Sequence, residues 1–436
     1  MGLNLLYLAA FILASPWILY RNLRHGRYRR GWREKLIGLS SRHPASRFKH
    51  CIWMHGVSVG EINLLRPLVA ELKSRCPDQA IVISSSTDAG YDLAIEHHGT
   101  DHVFFCPFDF SWAVKRTLRQ LNPAQLILAE LELWPNLIRS CNRLRIPVRV
   151  VNARLSEKSS AGYQRFGWLT RQAFSQLDEV LCQDETTARR FKRCGTLEDR
   201  LSVTGSLKFD NAPSTRECAE VQSRSNWAHI DPWHRVWVVG STQAGEEQMA
   251  IECYRELVSS HPELRLVLVP RHPQRFDAVA KIARQNGLDV RRRTNPTDRA
   301  DSWDSSQVLL IDTIGELRFW WGVGQMAFVG GSFGERGGQN MLEPAGYGSA
   351  VCFGPNTKNF SEIAERLLAG EGAVRVNSRD EMKTFVRRCL EDPPAADALG
   401  RAARRVVNQH RGAMGRTVDA IARDLNTEPT PLAKAS

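Results

Sequence analysis

Short runs of apolar and β-branched residues recur along the chain, each followed by a loop and a stretch whose apolar positions have helical spacing. The first set is CIWMHGVSV (51–59), AIVISSS (80–86), HVFFCPF (102–108), QLILAELE (125–132), IPVRVVN (146–152), EVLCQ (179–183) and LSVTGS (201–206). Helical stretches such as Glu61–Lys73 and Trp112–Arg119 lie between them. Strands alternating with helices imply a parallel sheet covered on both faces. The rhythm breaks over 211–235, where Pro213, Ser214, Thr215, Asp231 and Pro232 fall. It restarts with VWVVGS (236–241), RLVLVPR (265–271), LDVRR (288–292), QVLLID (307–312), MAFVGGS (326–332), AVCFGP (350–355) and AVRVN (373–377). The order predicts two Rossmann-like α/β domains joined by a linker, spanning 46–212 and 213–425, with a tail at 426–436. Ligands of such sheets bind outside the carboxyl ends of the strands, so the expected site is a cleft between the two sets of loops.

Residues 3–20, LNLLYLAAFILASPWILY, carry no charge, and Arg21, Arg24, Arg27, Arg29, Arg30, Arg33 and Lys35 follow. The stretch is just long enough to cross a hydrocarbon core of about 30 Å. A cleaved signal peptide would carry its charges before the apolar run. Two readings remain, a spanning anchor and a helix lying in the interface with Pro16 bending its end. Both make 1–45 a membrane-anchor segment with a basic collar, and the positive-inside rule puts the body on the cytoplasmic side. The net charge is +12. Residues 1–50 contribute +9 of it, leaving a nearly neutral body, which argues against a nucleic-acid binder. The ten cysteines include no C-x-x-C pair, so neither a zinc site nor any other metal or cofactor is expected.

Several strand ends carry candidate chemistry. In His55-Gly-Val-Ser-Val-Gly-Glu61 the glycines allow tight turning, and Glu61 enters a first helical turn, as a capping carboxylate or a site residue. Glu130 and Glu132 end an apolar run, where period two places them on one face. Lys208 follows the last strand of the first half and is suited to an anion. Gly240–Glu247 offers backbone N–H groups to a phosphate. Arg271 ends a strand in Val-Pro-Arg-His-Pro. The 330–340 loop, with five glycines in nine residues, suggests close backbone approach to a ligand. Gly322-Val-Gly-Gln-Met-Ala327 matches G-x-G-x-x-A but precedes its strand, so it is discarded.

Together these runs resemble the 3-deoxy-D-manno-octulosonic acid (Kdo) transferases of lipopolysaccharide synthesis. The matching stretches are HGVSVGE (55–61), ELELWPN (130–136), NARLS (152–156), VTGSLKFD (203–210), VPRHPQRF (269–276), DTIGEL (312–317), FVGGSFGERGGQNMLEPA (328–345) and GPNTKNF (354–360). The resemblance implies a GT-B glycosyltransferase fold, with two Rossmann-like domains facing across a cleft. It implies inverting, metal-independent transfer of Kdo from CMP-Kdo to a lipid A precursor at the cytoplasmic face of the inner membrane. By motif, Glu61 resembles the catalytic base, and Glu130 and Lys208 the transition-state stabilisers. Pro270, Arg271, Ile314, Gly315, Glu316, Asn340, Met341, Leu342 and Glu343 resemble the CMP contacts. The acceptor is expected on the first domain and the nucleotide on the second. Leu131, Gln243-Ala244 and Met341 depart from the family pattern; none removes an assigned charge. The alternatives are another GT-B enzyme, such as a UDP-sugar transferase or nucleotide-sugar epimerase, and a catalytically dead tethered binding protein.

Overall fold

The computed structural model describes residues 3–9, 12–13, 30–210, 212–295, 303–423 and 425. The chain divides into two compact units, residues 1–210 with 411–436, and residues 211–410.

The first unit is built on a seven-stranded parallel sheet: β1 (Ile52–His55), β2 (Ile81–Ser85), β3 (Val103–Phe105), β4 (Gln125–Ala129), β5 (Val148–Ala153), β6 (Glu179–Cys182) and β7 (Leu201–Val203). Their order is β3-β2-β1-β4-β5-β6-β7, so the winding reverses between β1 and β4. The period of two divides the strand side chains between two cores. Trp53, Val82, Leu126, Leu128, Val148 and Val150 belong to one. Ile52, Met54, Ile81, Ile83, Ile127 and Val151 belong to the other.

The second core is completed from the far end of the chain. Helix Ala413–Arg423 places Val418 and Ile421, both fully buried, against Leu64, Leu65 and Leu68 of helix Val59–Arg75. Each such side chain is worth about 1.5–3 kcal/mol when taken out of water. Asp210 accepts from Gly412 N and Met414 N at 2.6 Å each, and Arg416 donates to Thr204 O at 2.7 Å. The sequence reading placed 213–425 in one domain; residues after His410 instead return to the first unit.

Two further boundaries move. Leu39 is 1% exposed and Lys35 4%, so the stretch from residue 30 to 45 packs as part of the first unit instead of forming an anchor segment. The stretch read as a linker packs onto the second unit, with Val221 and Ala228 of helix Ala219–Ala228 buried. Arg216 clamps it there, donating to Tyr347 O, Gly322 O and Gly324 O at 2.8–2.9 Å. Half of the apolar run 3–20, and Arg21, Arg24, Arg27 and Arg29 of its basic collar, lie outside the described residues. Residues 3–9 and 12–13 are helical, and among the described residues no helix is long and apolar enough to cross a membrane.

The second unit repeats the architecture with β8 (Arg235–Thr242), β9 (Leu264–Pro270), β10 (Asp289–Arg292), β11 (Gln307–Leu310), β12 (Met326–Val329), β13 (Ala350–Phe353) and β14 (Ala373–Arg375). The order is β10-β11-β9-β8-β12-β13-β14, all parallel, with its reversal between β8 and β12.

Candidate active site

Three carboxylates and a lysine gather at the carboxyl ends of β1, β4 and β7 in the first unit. Helix Val59–Arg75 starts directly after β1, capped by Ser58, whose hydroxyl accepts from Glu61 N at 3.4 Å. The Glu61 carboxylate turns back to accept from Val57 N at 2.5 Å and Ser58 Oγ at 3.0 Å. This is a capping box, which fixes the Glu61 side chain at the strand end. A Cβ on Gly56 would lie 3.1 Å from Glu61 Cβ, so the close approach expected of Gly56 is real. Gly60 sits inside the helix with only an ordinary 3.7 Å contact, and the same expectation fails there.

Burial pushes the Glu61 carboxyl above its ordinary range; the bonds from Val57 and Ser58 oppose this, and the Glu130 charge adds to it. Burial also pushes Glu132 up, to about 7, with the Glu61 charge contributing, although Trp134 Nε1 donates to it at 3.1 Å. Glu132 is thus a third carboxyl beside the expected pair.

Glu130 does not continue the strand. β4 ends at Ala129, and Glu130 adopts φ 58°, left-handed for a residue with a side chain. The period-two argument for Glu130 and Glu132 therefore fails. The kink instead points Glu130 to Lys208, Nζ to Oε1 3.4 Å, both partly exposed. Lys208 lies in the short helix Leu207–Asp210, held by Asn152, whose Oδ1 accepts from Leu207 N at 3.0 Å. Asn152, fully buried at φ 51°, is the penultimate residue of β5 and received no role from the sequence; an Asn near the end of an apolar strand, a type that tolerates this conformation, was the available signal.

In the second unit the expected nucleotide contacts all lie at carboxyl ends of strands. Pro270 closes β9, and the exposed Arg271 has no ionic partner among the described residues; its N–H donates to Thr242 O at 3.2 Å. Ile314, 82% exposed, and Gly315, at φ 85°, form a turn after β11. Glu316 does not extend to solvent. Arg293 binds it through two nitrogens at 2.9 and 3.2 Å, and Arg224 at 3.3 Å. Burial works to raise its pKa, but Arg293, Thr313 and Trp320 together hold it below the usual range. Its carboxylate braces the turn.

Met341 and Leu342 are 0% and 2% exposed, so their side chains belong to the core. Asn340 Nδ2 donates to Glu343 Oε1 at 3.1 Å. Burial raises the Glu343 carboxyl, while Asn340, Arg318, Trp321 and Arg271 oppose it. Arg318, exposed in the first turn of helix Leu317–Val323, brings a second cation beside Glu343 that the sequence reading missed.

The phosphate cradle expected at 240–247 is already engaged. Gln243 N donates to Glu246 Oε2 at 2.8 Å. The glycine-rich loop likewise meets its own protein: a Cβ on Gly330 would sit 2.6 Å from Thr242 Cα.

Residues 29–211 match the family model described as 3-deoxy-D-manno-octulosonic-acid transferase (kdotransferase). A 3-deoxy-D-manno-octulosonic acid transferase of Haemophilus influenzae is 33% identical over 375 residues, 85% of this chain and 86% of the relative. One from Bordetella pertussis is 34% identical over 384 residues, with the same coverage of each. The chain belongs to the Kdo transferase family. It is therefore an enzyme, a glycosyltransferase of lipopolysaccharide synthesis. A UDP-GlcNAc 2-epimerase of Neisseria meningitidis, solved with UDP-GlcNAc, superposes with TM-score 0.53 at 10% identity, covering 86% of this chain and 99% of its own. That likeness is one of fold, two parallel-sheet α/β domains. Within the Kdo transferase sequence, ELELWPN and NARLS thus mark a backbone device, two left-handed residues, 130 and 152, that bring Glu130 and Lys208 together.

Proposed function

We propose that the enzyme moves Kdo from CMP-Kdo to a hydroxyl of a lipid A precursor, with inversion, on a GT-B architecture. The first unit holds the acceptor and the second the nucleotide. The observation that carries this reading is the placement of Glu61 beside the Glu130–Lys208 pair at the switch point of the first sheet. A sugar hydroxyl is a poor nucleophile, so a fixed carboxylate is needed to take its proton. Glu61 accepts that proton as the acceptor oxygen forms its bond to the anomeric carbon. The bond from that carbon to the CMP phosphate breaks, and its electron pair leaves with CMP. Lys208 and Arg271 hold the charge that grows on the phosphate, and Glu130 faces the cationic sugar carbon. Pro270, Ile314, Gly315, Asn340 and the main chain of Met341 and Leu342 line the nucleotide, with Glu343 as acceptor for sugar hydroxyls. Incubating the protein with a lipid A precursor and CMP-Kdo is expected to add the mass of Kdo, while UDP-sugars add nothing. A product formed from UDP-sugars alone would end this reading.

On this reading a lipid acceptor is met at the inner membrane, and the reaction runs at its cytoplasmic face. Supporting this, Asn4 and Tyr7 bond Ser111 at 2.7 Å and Asp109 at 3.0 Å. The same helical residues leave Leu5, Leu6, Leu8, Ile12 and Leu13 43–81% exposed. Elsewhere in this unit Phe166 and Trp168 are 54% and 82% exposed, on a segment with exposed Lys158, Arg165 and Arg171. Apolar side chains beside cations suit an anionic bilayer surface. Removing residues 1–29, and not the packed stretch after them, is expected to move the protein from the membrane to the soluble fraction. Unchanged fractionation refutes the role of that segment.

A further inference from the structure

We propose that Glu246 is the positioning residue of the glycine-rich donor loop, holding it in its ligand-ready shape from beneath. The inference rests on the reading of the second unit as the CMP-sugar binder. Glu246 opens helix Glu246–Val258, which follows β8, and is 2% exposed. Its Oε2 accepts from Gln243 N at 2.8 Å and Gly331 N at 2.7 Å. Its Oε1 accepts from Ser332 N at 2.9 Å and Phe333 N at 3.0 Å. Three of these four donors belong to the loop after β12, on the neighbouring strand across the switch point.

Successive N–H groups converging on one point form an anion nest. In a nucleotide-binding unit such a nest is a natural seat for phosphate, yet here the protein's own carboxylate occupies it. Gly331 stands at φ 67°, Gly338 N donates back to Gly331 O at 2.7 Å, and Gly354 N donates to Ser332 Oγ at 2.8 Å. The loop is therefore closed on itself between the Glu246 anchor and the Asn340–Glu343 segment. A loop shaped in advance spares the ligand the cost of ordering it. This assigns Gly330 and Gly331 to close packing on the protein's own backbone and on Glu246.

Glu246→Gln turns an amide NH2 toward two of the four N–H donors. The expected result is a rise of at least tenfold in the CMP dissociation constant by calorimetry. The KM for CMP-Kdo should rise equally, and that for the lipid acceptor should stay within twofold. Tyr254→Phe is the comparison: it removes a buried bond, 2.7 Å to Ser305 O, from the same helix without touching the loop, and its CMP constant should stay within twofold. Wild-type protein that binds no CMP overturns the donor reading beneath the inference. Wild-type binding with an unchanged constant in Glu246→Gln overturns the inference alone. Should that variant not fold, amide exchange of the wild-type protein decides. Residues 331–333 protected without CMP support the proposal, and residues 331–333 that exchange freely until CMP is added refute it.

Discussion

Replacing Glu61 with Gln should lower the turnover of Kdo transfer by about a thousandfold, within the 10²–10⁴ range of a general base. The substitution is nearly isosteric. The Gln oxygen still accepts from Val57 N or Ser58 Oγ, so the capping box survives in part and the fold with it. CMP affinity should stay within twofold, because Glu61 is not among the proposed nucleotide contacts. A turnover within threefold of wild type would remove Glu61 from the base role. The pH profile gives a second check. Only ionised Glu61 accepts a proton, so the rate is full above its pKa and falls as pH drops through it. Burial raises that pKa, so the fall should begin nearer neutrality than for an ordinary carboxylate. Glu132, at about 7, titrates first and takes up a proton as pH falls, which removes a negative neighbour and broadens the acid limb. The limb should vanish in Glu61→Gln.

Lys208→Ala should reduce turnover about 10²–10³-fold, the range for losing one preorganised group that meets developing charge. Lys208 is more than one-third exposed, so no comparable loss of stability is expected. The decisive measurement is the double variant with Glu130→Gln. Lys208 and Glu130 act as a pair at 3.4 Å, so the double variant should be little worse than the poorer single one. Losses that multiply would mean two independent roles.

The sheets were legible because parallel strands are buried on both faces: Ile81–Ile83 and Leu266–Pro270 read as unbroken apolar runs and are buried throughout. All seven strands of each unit coincide with runs that the hydrophobic pattern marks, with β5, β8 and β9 extending one residue beyond them. Their ends were less legible. Nothing in QLILAELE says that the chain turns left-handed at Glu130, whose main chain there pairs with Val151 O and Arg154 N, more than twenty positions on. Residues 413–423 have a clear apolar stripe, yet a stripe does not name the sheet it covers. Glu246 reads as an ordinary first-turn acid, because its partners lie 85–87 residues away. The motif positions of the site were legible through resemblance. What each side chain does was less so: Met341 and Leu342 went to the core, and Glu316 to its arginines.

The return of residues 413–423 to the first unit sets an order of assembly during synthesis. The ribosome makes β1 to β7, then the entire second unit, and only afterwards the helix that covers Leu64, Leu65 and Leu68. Until then part of the core on that face of the earlier-made sheet lacks its outer cover, while the later-made unit already has all its parts. Domains generally mature in the order they emerge; in this chain the younger half has all its parts first, and the core of the older half closes only when the last helix arrives.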